Sequence, residues 1–337
     1  MAWMINSDYI DYYSIIATTS IASIILILFL WYQYSLPTPS PPSPPTIQSL
    51  GHAGFIYTYD TLTVMMDPWI YPAFCSSWFP FPRNKQFVLK TLSKTNIDVL
   101  YISHTHEDHL DQRLLRSLPN KKDIHVLCAD FTSGHLEKKL RQLGFTNLSV
   151  LQHQQSIALS PTLTATMVLD VSFKEDSALL LETIDGHRFL NLNDCNTRAD
   201  EHPKNITVLA TQFSGAQWYP DCYPMYKAKG THAQHVHHIL DGLERNLIMK
   251  LKATDAKFLI PSAGVHCFLD NALQGNNIRR FNNLDINHTS IFPQWEEFAL
   301  RMKFQVKCPT VKILRCFMPG DKIEYKKHGK SSDAGAM

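Results

Sequence analysis

Ile97-Asp98-Val99-Leu100-Tyr101-Ile102-Ser103-His104-Thr105-His106-Glu107-Asp108-His109-Leu110-Asp111 decides how the rest of the chain is read. Val99 to Ile102 are apolar without interruption, the pattern of a strand covered on both faces. The run then breaks into three histidines and three acids. A strand end is a rigid support for ligands. His104 and His106, two residues apart, leave it on one side, and Asp108 and His109 follow in a turn that can face them. Two neighbouring metal ions could share the segment. Imidazole and carboxylate without thiolate suit zinc, manganese or iron and exclude an all-thiolate structural zinc site.

The chain has 337 residues, 45% hydrophobic and 18% charged, with a formal charge of +2. That is enough for one large globular domain or two small ones. No basic cluster is interleaved with aromatics, so nucleic-acid binding has no support. The seven cysteines (Cys75, Cys128, Cys195, Cys222, Cys267, Cys308, Cys316) form no Cys-x-x-Cys pair and read as reduced, mostly buried thiols.

Between Asp11 and Asp60 there is no Asp, Glu, Lys or Arg, and residues 15–34 form a nearly continuous apolar run flanked by Tyr12-Tyr13 and Trp31-Tyr32. That length predicts a transmembrane helix with interfacial aromatics. The acids Asp8 and Asp11 before it, and the lack of an Ala-x-Ala site after it, speak against a cleaved signal peptide. They also tilt the orientation toward a cytoplasmic catalytic domain, making the protein a single-pass membrane protein. The sequons at Asn147, Asn205 and Asn287 do not decide the side. Residues 1–14 form a short flank, and residues 35–46, rich in Pro-Ser and Pro-Thr, form a stiff extended linker. A globular domain is expected over 47–320 and a disordered tail over 321–337, polar and small from Lys326 onward.

Within the domain, Ile47 to Leu50, Phe55 to Tyr59 and Leu62 to Met66 read as strands joined by turns at Gly51-His52-Ala53-Gly54 and Asp60-Thr61. Asp67 ends the third. It is either a turn-former or an acceptor that orients a ligand histidine. Helical periodicity is expected over Gln112 to Leu118, His135 to Leu143 and His232 to Ala256. Strands are expected at Ile124 to Cys128, Thr164 to Val168, Ala178 to Thr183, Arg188 to Asn193, Ile206 to Phe213 and Phe258 to Ser262, with an Asp185-Gly186 hairpin turn. Asp194 stands at a strand terminus. Strand–helix alternation after an opening meander implies an α/β protein with two sheets and helices outside.

Gly51-His52-Ala53, Met66-Asp67-Pro68-Trp69, the His-x-His-x-Asp-His run and Asn191-Leu192-Asn193-Asp194-Cys195 together resemble the metallo-β-lactamase fold superfamily. Tyr101-Ile102-Ser103-His104, Phe213-Ser214-Gly215-Ala216-Gln217-Trp218-Tyr219-Pro220 and Pro261-Ser262-Ala263-Gly264 look more narrowly like the lactamase-type domain of CMP-N-acetylneuraminate hydroxylases. The resemblance covers roughly residues 47 to 300 and implies an αββα sandwich. It also implies His104 and His106 on a first metal, Asp108 and His109 on a second, and Asp194 bridging them. Asp108 could double as a catalytic proton shuttle.

The family usually completes the first site with a third histidine. None occurs between His153 and His187, where the oxygen donors are Asp170, Ser172 and Glu175. An oxygen ligand favours the harder ions iron or manganese. His266 is the candidate for the last ligand of the second site. The histidines at 232, 235, 237 and 238 read as helix surface.

The cofactor expected is one or two divalent ions, zinc first, with iron or manganese as alternatives. A metal-bound hydroxide attacking an ester, lactone or phosphoester would make the protein a membrane-anchored hydrolase. The alternative is an iron oxygenase acting on a glycoconjugate or other small molecule. Residues 1–46 contain no cysteine and no histidine, hence no Rieske ligands, so that reading requires an external reductase. A third class is a binding protein that has lost one metal site. Ser214, Gln217, Trp218 and Tyr219 combine hydrogen-bond donors with flat faces that suit a sugar or base, and equally read as core lids.

Overall fold

The computed structural model describes residues 43–170, 175–215, 217, 219, 220, 223–264, 266–271, 291–314 and 318–325, with Ser23, Ile25 and Leu26 helical and exposed in the N-terminal segment. The expected membrane helix otherwise lies outside the described residues. Among the described residues, no helix is long and apolar enough to cross a membrane. The chain divides into Met1–Ser43 and Pro44–Met337.

The second unit opens on a meander of β1 (Thr46–Gly51), β2 (Gly54–Tyr59) and β3 (Leu62–Met66), followed by a short β4 (Trp78–Pro80) and helix α1 (Lys85–Leu92). Strand β5 (Val99–Tyr101), helix α2 (Gln112–Ser117), strand β6 (His125–Ala129), helix α3 (His135–Gln142) and strand β7 (Leu148–Leu151) alternate next. Parallel strands need a crossover, and these helices provide it. The antiparallel run is β8 (Ser156–Ser160), β9 (Leu163–Leu169), β10 (Ser177–Thr183) and β11 (Arg188–Asn193). After it come β12 (Val208–Gln212), α4 (Pro224–Ala228), the long α5 (His232–Thr254), β13 (Phe258–Ser262) and β14 (His266–Phe268). Helices α6 (Trp295–Arg301) and α7 (Phe304–Lys307) and strands β15 (Lys312–Ile313) and β16 (Lys322–Glu324) complete it.

Two seven-stranded sheets result, ordered β16-β1-β2-β3-β5-β6-β7 and β15-β13-β12-β11-β10-β9-β8, with a two-stranded β14-β4 ribbon beside them. Strand alternation sorts side chains between two cores. Leu179 and Leu181 of β10 join Leu100, Leu127 and Phe189 between the sheets and under α2 and α3. Ala178 and Leu180 turn outward and pack with Leu240, Leu247 and Phe298 beneath α5 and α6. This is the expected αββα sandwich.

One expectation fails at the C-terminal end. Lys322–Glu324, assigned to a disordered tail, pair with Thr46–Gln48 of β1, because an unpaired strand edge offers backbone partners that side-chain composition does not advertise. Residues 326–337 lie outside the described residues.

Candidate metal centre

Strand β5 ends at Tyr101, and Ile102 and Ser103 carry the chain to His104 and His106. The His106 carbonyl accepts from His109 N (3.1 Å) and Leu110 N (2.7 Å), a tight turn that brings Asp108 and His109 back beside the first two histidines. Asp111 then closes the segment. Its carboxylate caps α2 at Leu114 N (2.9 Å) and accepts from Ile70 N and Tyr71 N (2.9 Å each), fixing the segment after β3 against the motif.

Two clusters emerge, each of two imidazoles and one carboxylate: His104, His106 and Asp194, and His52, Asp108 and His109, with the donor atoms of each cluster within 4.8 Å of one another. His104 Nε2 is 2.7 Å from His106 Nδ1, and His52 Nε2 is 3.1 Å from Asp108 Oδ2. His109 Nε2 lies 3.8 Å from Asp108 Oδ2 and 3.7 Å from Asp194 Oδ2. Asp194, delivered by the end of β11, therefore stands between the clusters, where a bridging acid belongs.

The fully buried Asp67 orients this set. It accepts from Ser103 N (2.8 Å), Ser103 Oγ (2.6 Å) and His109 Nδ1 (2.9 Å), so the turn at the end of β3 also holds a ligand histidine. With Nδ1–H engaged, His109 presents Nε2 to the centre.

Electrostatics follow from burial and crowding. Burial disfavours charge on His109, but Asp108, the Asp67 hydrogen bond and Asp194 prevail and push its pKa up to about 10. Burial and then His104 hold His106 down to about 4. Despite burial, His109 and His52 hold Asp108 well below the usual carboxylate range. Burial raises Asp194.

Buried His109 Nε2, Asp108 Oδ1 and Asp194 Oδ1 have no hydrogen-bond partner. An orphaned buried polar atom costs about 1–3 kcal/mol. Three of them converging with four imidazoles fit a divalent cation centre.

Several expected residues sit elsewhere. Glu175 gives both oxygens to Ser133, at 2.9 Å to the backbone N and 2.6 Å to Oγ, and is thereby turned from the cluster. Asp170 accepts from Asn196 N (3.1 Å), and its own N donates to Asp176 O (2.8 Å), tying the chain just past β9 to that preceding β10. The acid beside the first cluster is Asp176, whose Oδ1 is 3.3 Å from His104 Nδ1. Ser172 lies outside the described residues.

His266 is in neither cluster. It lies flat on Trp78, centroids 3.7 Å apart and planes within 1°, with Phe292 edge-on at 4.7 Å. His52 stands in the second cluster instead, carried there by the Gly51–Gly54 turn. Ser214 is buried, Gln217 is exposed, and the Tyr219 hydroxyl bonds His235 Nδ1 within a cluster that includes Tyr223 and Tyr226. These three stand in different environments, and Trp218 lies outside the described residues. The helix histidines 232, 235 and 237 are half-buried and His238 is exposed.

Residues 46–209 match the family model described as "Beta-lactamase superfamily domain". Over that stretch the chain is similar to the beta-lactamase superfamily. Among solved structures, the lactamase-type fold is similar to Igni18, a metallo hydrolase from Ignicoccus hospitalis (TM-score 0.54, 14% identity, 85% of this chain and 100% of that one). It is also similar to CmlA, a diiron β-hydroxylase from Streptomyces venezuelae (TM-score 0.52, 14% identity, 86% and 55%). By sequence, it is 32% identical over 276 residues to a Mycolicibacterium smegmatis protein named a Rieske 2Fe-2S iron–sulfur protein, covering 76% of this chain and 50% of that one. It is 26% identical over 220 residues to the mouse cytidine monophosphate-N-acetylneuraminic acid hydroxylase, covering 64% and 37%. The chain thus spans half or less of these curated relatives. The solved structures share the fold, and the activities named, a metallo hydrolase and hydroxylases, are those of these relatives and neighbours.

Proposed function

We propose that the domain is an iron-dependent hydroxylase fed by an external one-electron donor. The observation that carries this reading is ligand composition: each cluster pairs two imidazoles with one carboxylate, and Asp176 stands on the Nδ1 side of His104. Two histidines and one carboxylate with open positions are the ligand set of non-haem iron oxygenases.

Bound iron would supply dioxygen activation, and the overall balance is R–H + O2 + 2 e⁻ + 2 H⁺ → R–OH + H2O. The chain's own residues do the rest. Asp67 keeps the His109 proton on Nδ1, and His52 holds Asp108 Oδ2 while Oδ1 is left without a hydrogen-bond partner. Burial of His104, Asp108 and His109 excludes bulk water, while His106 is exposed, leaving that side for substrate. Asp108, held ionised, is positioned to accept a proton at Oδ1. A nucleotide sugar is the substrate class to try first, since the mouse relative's name specifies one. The uncharged run over 15–34 supports a single-pass anchor, with the domain on the cytoplasmic side.

The test is elemental analysis of the purified full chain, then hydroxylation of CMP-N-acetylneuraminate with dioxygen and a reduced iron–sulfur donor. Two iron equivalents, lost in a His104→Ala, His106→Ala chain, together with a hydroxylated product support the reading. Two zinc equivalents with ester or phosphoester cleavage would replace it with the hydrolase. No stoichiometric metal would sink both.

A further inference from the structure

The two clusters differ in where their ligands come from. His52, Asp108 and His109 all hang from loops of the first sheet, whereas His104 and His106 come from the first sheet and Asp194 from the second. The geometry of the second cluster is therefore set within one sheet. That of the first depends on how the two sheets are held apart at this edge.

A pair of buried hydroxyls crosses the gap there, alongside the His104–Asp176 contact. Tyr101, last in β5, places its hydroxyl 3.0 Å from Ser177 Oγ, first in β10 of the opposite sheet. Ser177 Oγ donates to the Ser103 carbonyl at 2.7 Å. A carbonyl only accepts, so the single Ser177 proton is committed to it and Tyr101 must donate. Ser103 is thereby held at every polar atom, since its N and Oγ go to Asp67. The adjoining residues are ligands or their neighbours: His104 follows Ser103, and Asp176, whose Oδ1 accepts from Ser177 N at 2.8 Å, precedes Ser177.

Tyr101, Ser103 and Ser177 are all fully buried, in an inter-sheet core that is mostly apolar. Packing alone would be served as well by apolar side chains. A buried hydroxyl relay carries a desolvation cost, and what it adds is direction and fixed length.

We propose that the Tyr101–Ser177–Ser103 relay is a positioning device that sets the inter-sheet distance at the centre, and with it the His104–His106–Asp194 site. The inference rests on reading the clusters as metal sites, and on neither iron nor hydroxylation. The Tyr101 and Ser177 hydroxyls bond to no ligand of the second cluster, which provides an internal control, whereas Ser103 Oγ lies near both sites, 2.9 Å from His104 Nδ1 and 3.3 Å from His109 Nδ1.

The experiment is Zn²⁺ titration of the full chain against a chromophoric chelator. His52→Ala isolates the first site and His106→Ala the second. Added to each, Tyr101→Phe removes one hydroxyl and keeps the ring. Loss of an outer hydrogen-bond partner typically weakens a metal site about 10–100-fold. The expected result is about a tenfold loss at the first site and none at the second, repeated by Ser177→Ala, with the double variant no worse than either single one. Equal weakening of both sites, or of neither, overturns the proposal, as does loss of the fold in both variants. A wild-type chain binding fewer than two equivalents overturns it together with the metal reading, whereas two zinc sites without hydroxylation fault the hydroxylase alone.

Discussion

Asp67→Asn is the sharpest probe of how the chain prepares a ligand. Asp67 Oδ1 accepts from Ser103 N, and Oδ2 accepts from both Ser103 Oγ and His109 Nδ1. Asparagine can keep the first bond, but its NH2 then faces the other two. Ser103 can rotate its hydroxyl to accept. To bind metal as a neutral imidazole, His109 can comply only by carrying its one proton on Nε2, which removes the lone pair aimed at the centre. The metal-free protein also loses a charge-assisted hydrogen bond, worth about 1.5–3 kcal/mol. The second site should weaken about 10–100-fold, the usual consequence of losing a histidine's orienting partner. Urea unfolding of the metal-free chain reads the first effect and metal competition the second. Nitrogen-15 imidazole spectra report the tautomer. Unchanged affinity with His109 still protonated at Nδ1 would refute the account of Asp67 as the orienting group.

Three further outcomes follow from the same geometry. His109, raised to about 10 from an ordinary value near 6.5, stabilises the metal-free fold fully below about pH 6.5, and that contribution disappears as pH climbs through 10. A metal must displace this proton, so the second site should tighten about tenfold per pH unit from 6.5 to 8.5, with one proton released per ion in calorimetry across buffers; a flat profile contradicts it. Asp176→Asn should weaken the first site about 10–100-fold while Glu175→Gln leaves it unchanged, and the reverse ranking would restore Glu175 as the ligand. Leu127→Ala, in the middle of β6 and fully buried, should cost about 2–5 kcal/mol in urea unfolding. A loss under 1 kcal/mol would mean the inter-sheet core relaxes around the cavity.

What the sequence made legible is what lies close together along the chain. The His-x-His-x-Asp-His run is contiguous, its strand is apolar on both faces, and its side chains gather in the two clusters. Asp194 was visible because it terminates a strand. His52 and Asp176 were not, since each reaches the centre through pairing set elsewhere: the β1–β2 turn for one, the registry of β10 against β9 for the other. Glu175 and Asp176 are adjacent in sequence and face different neighbours, a difference that residue type cannot reveal. His266 sits at a strand start like a ligand, yet the stacking face of Trp78 claims it. Helices α1, α4, α6 and α7 and the short strands β4, β7, β8, β14, β15 and β16 escaped because two- to eight-residue segments carry too few periods to register.

Strand β1 is flanked on one side by β2 and on the other by β16, so the first strand of the domain is hydrogen-bonded along both edges by segments about 265 residues apart. Tension arriving from the segment before Thr46 would be shared at once by two neighbours rather than peeling a margin strand away. Cutting the chain before Lys322 would undo that arrangement. It would bare the β1 edge as a template for other chains and turn a load-sharing seam into the place where unravelling and self-association begin.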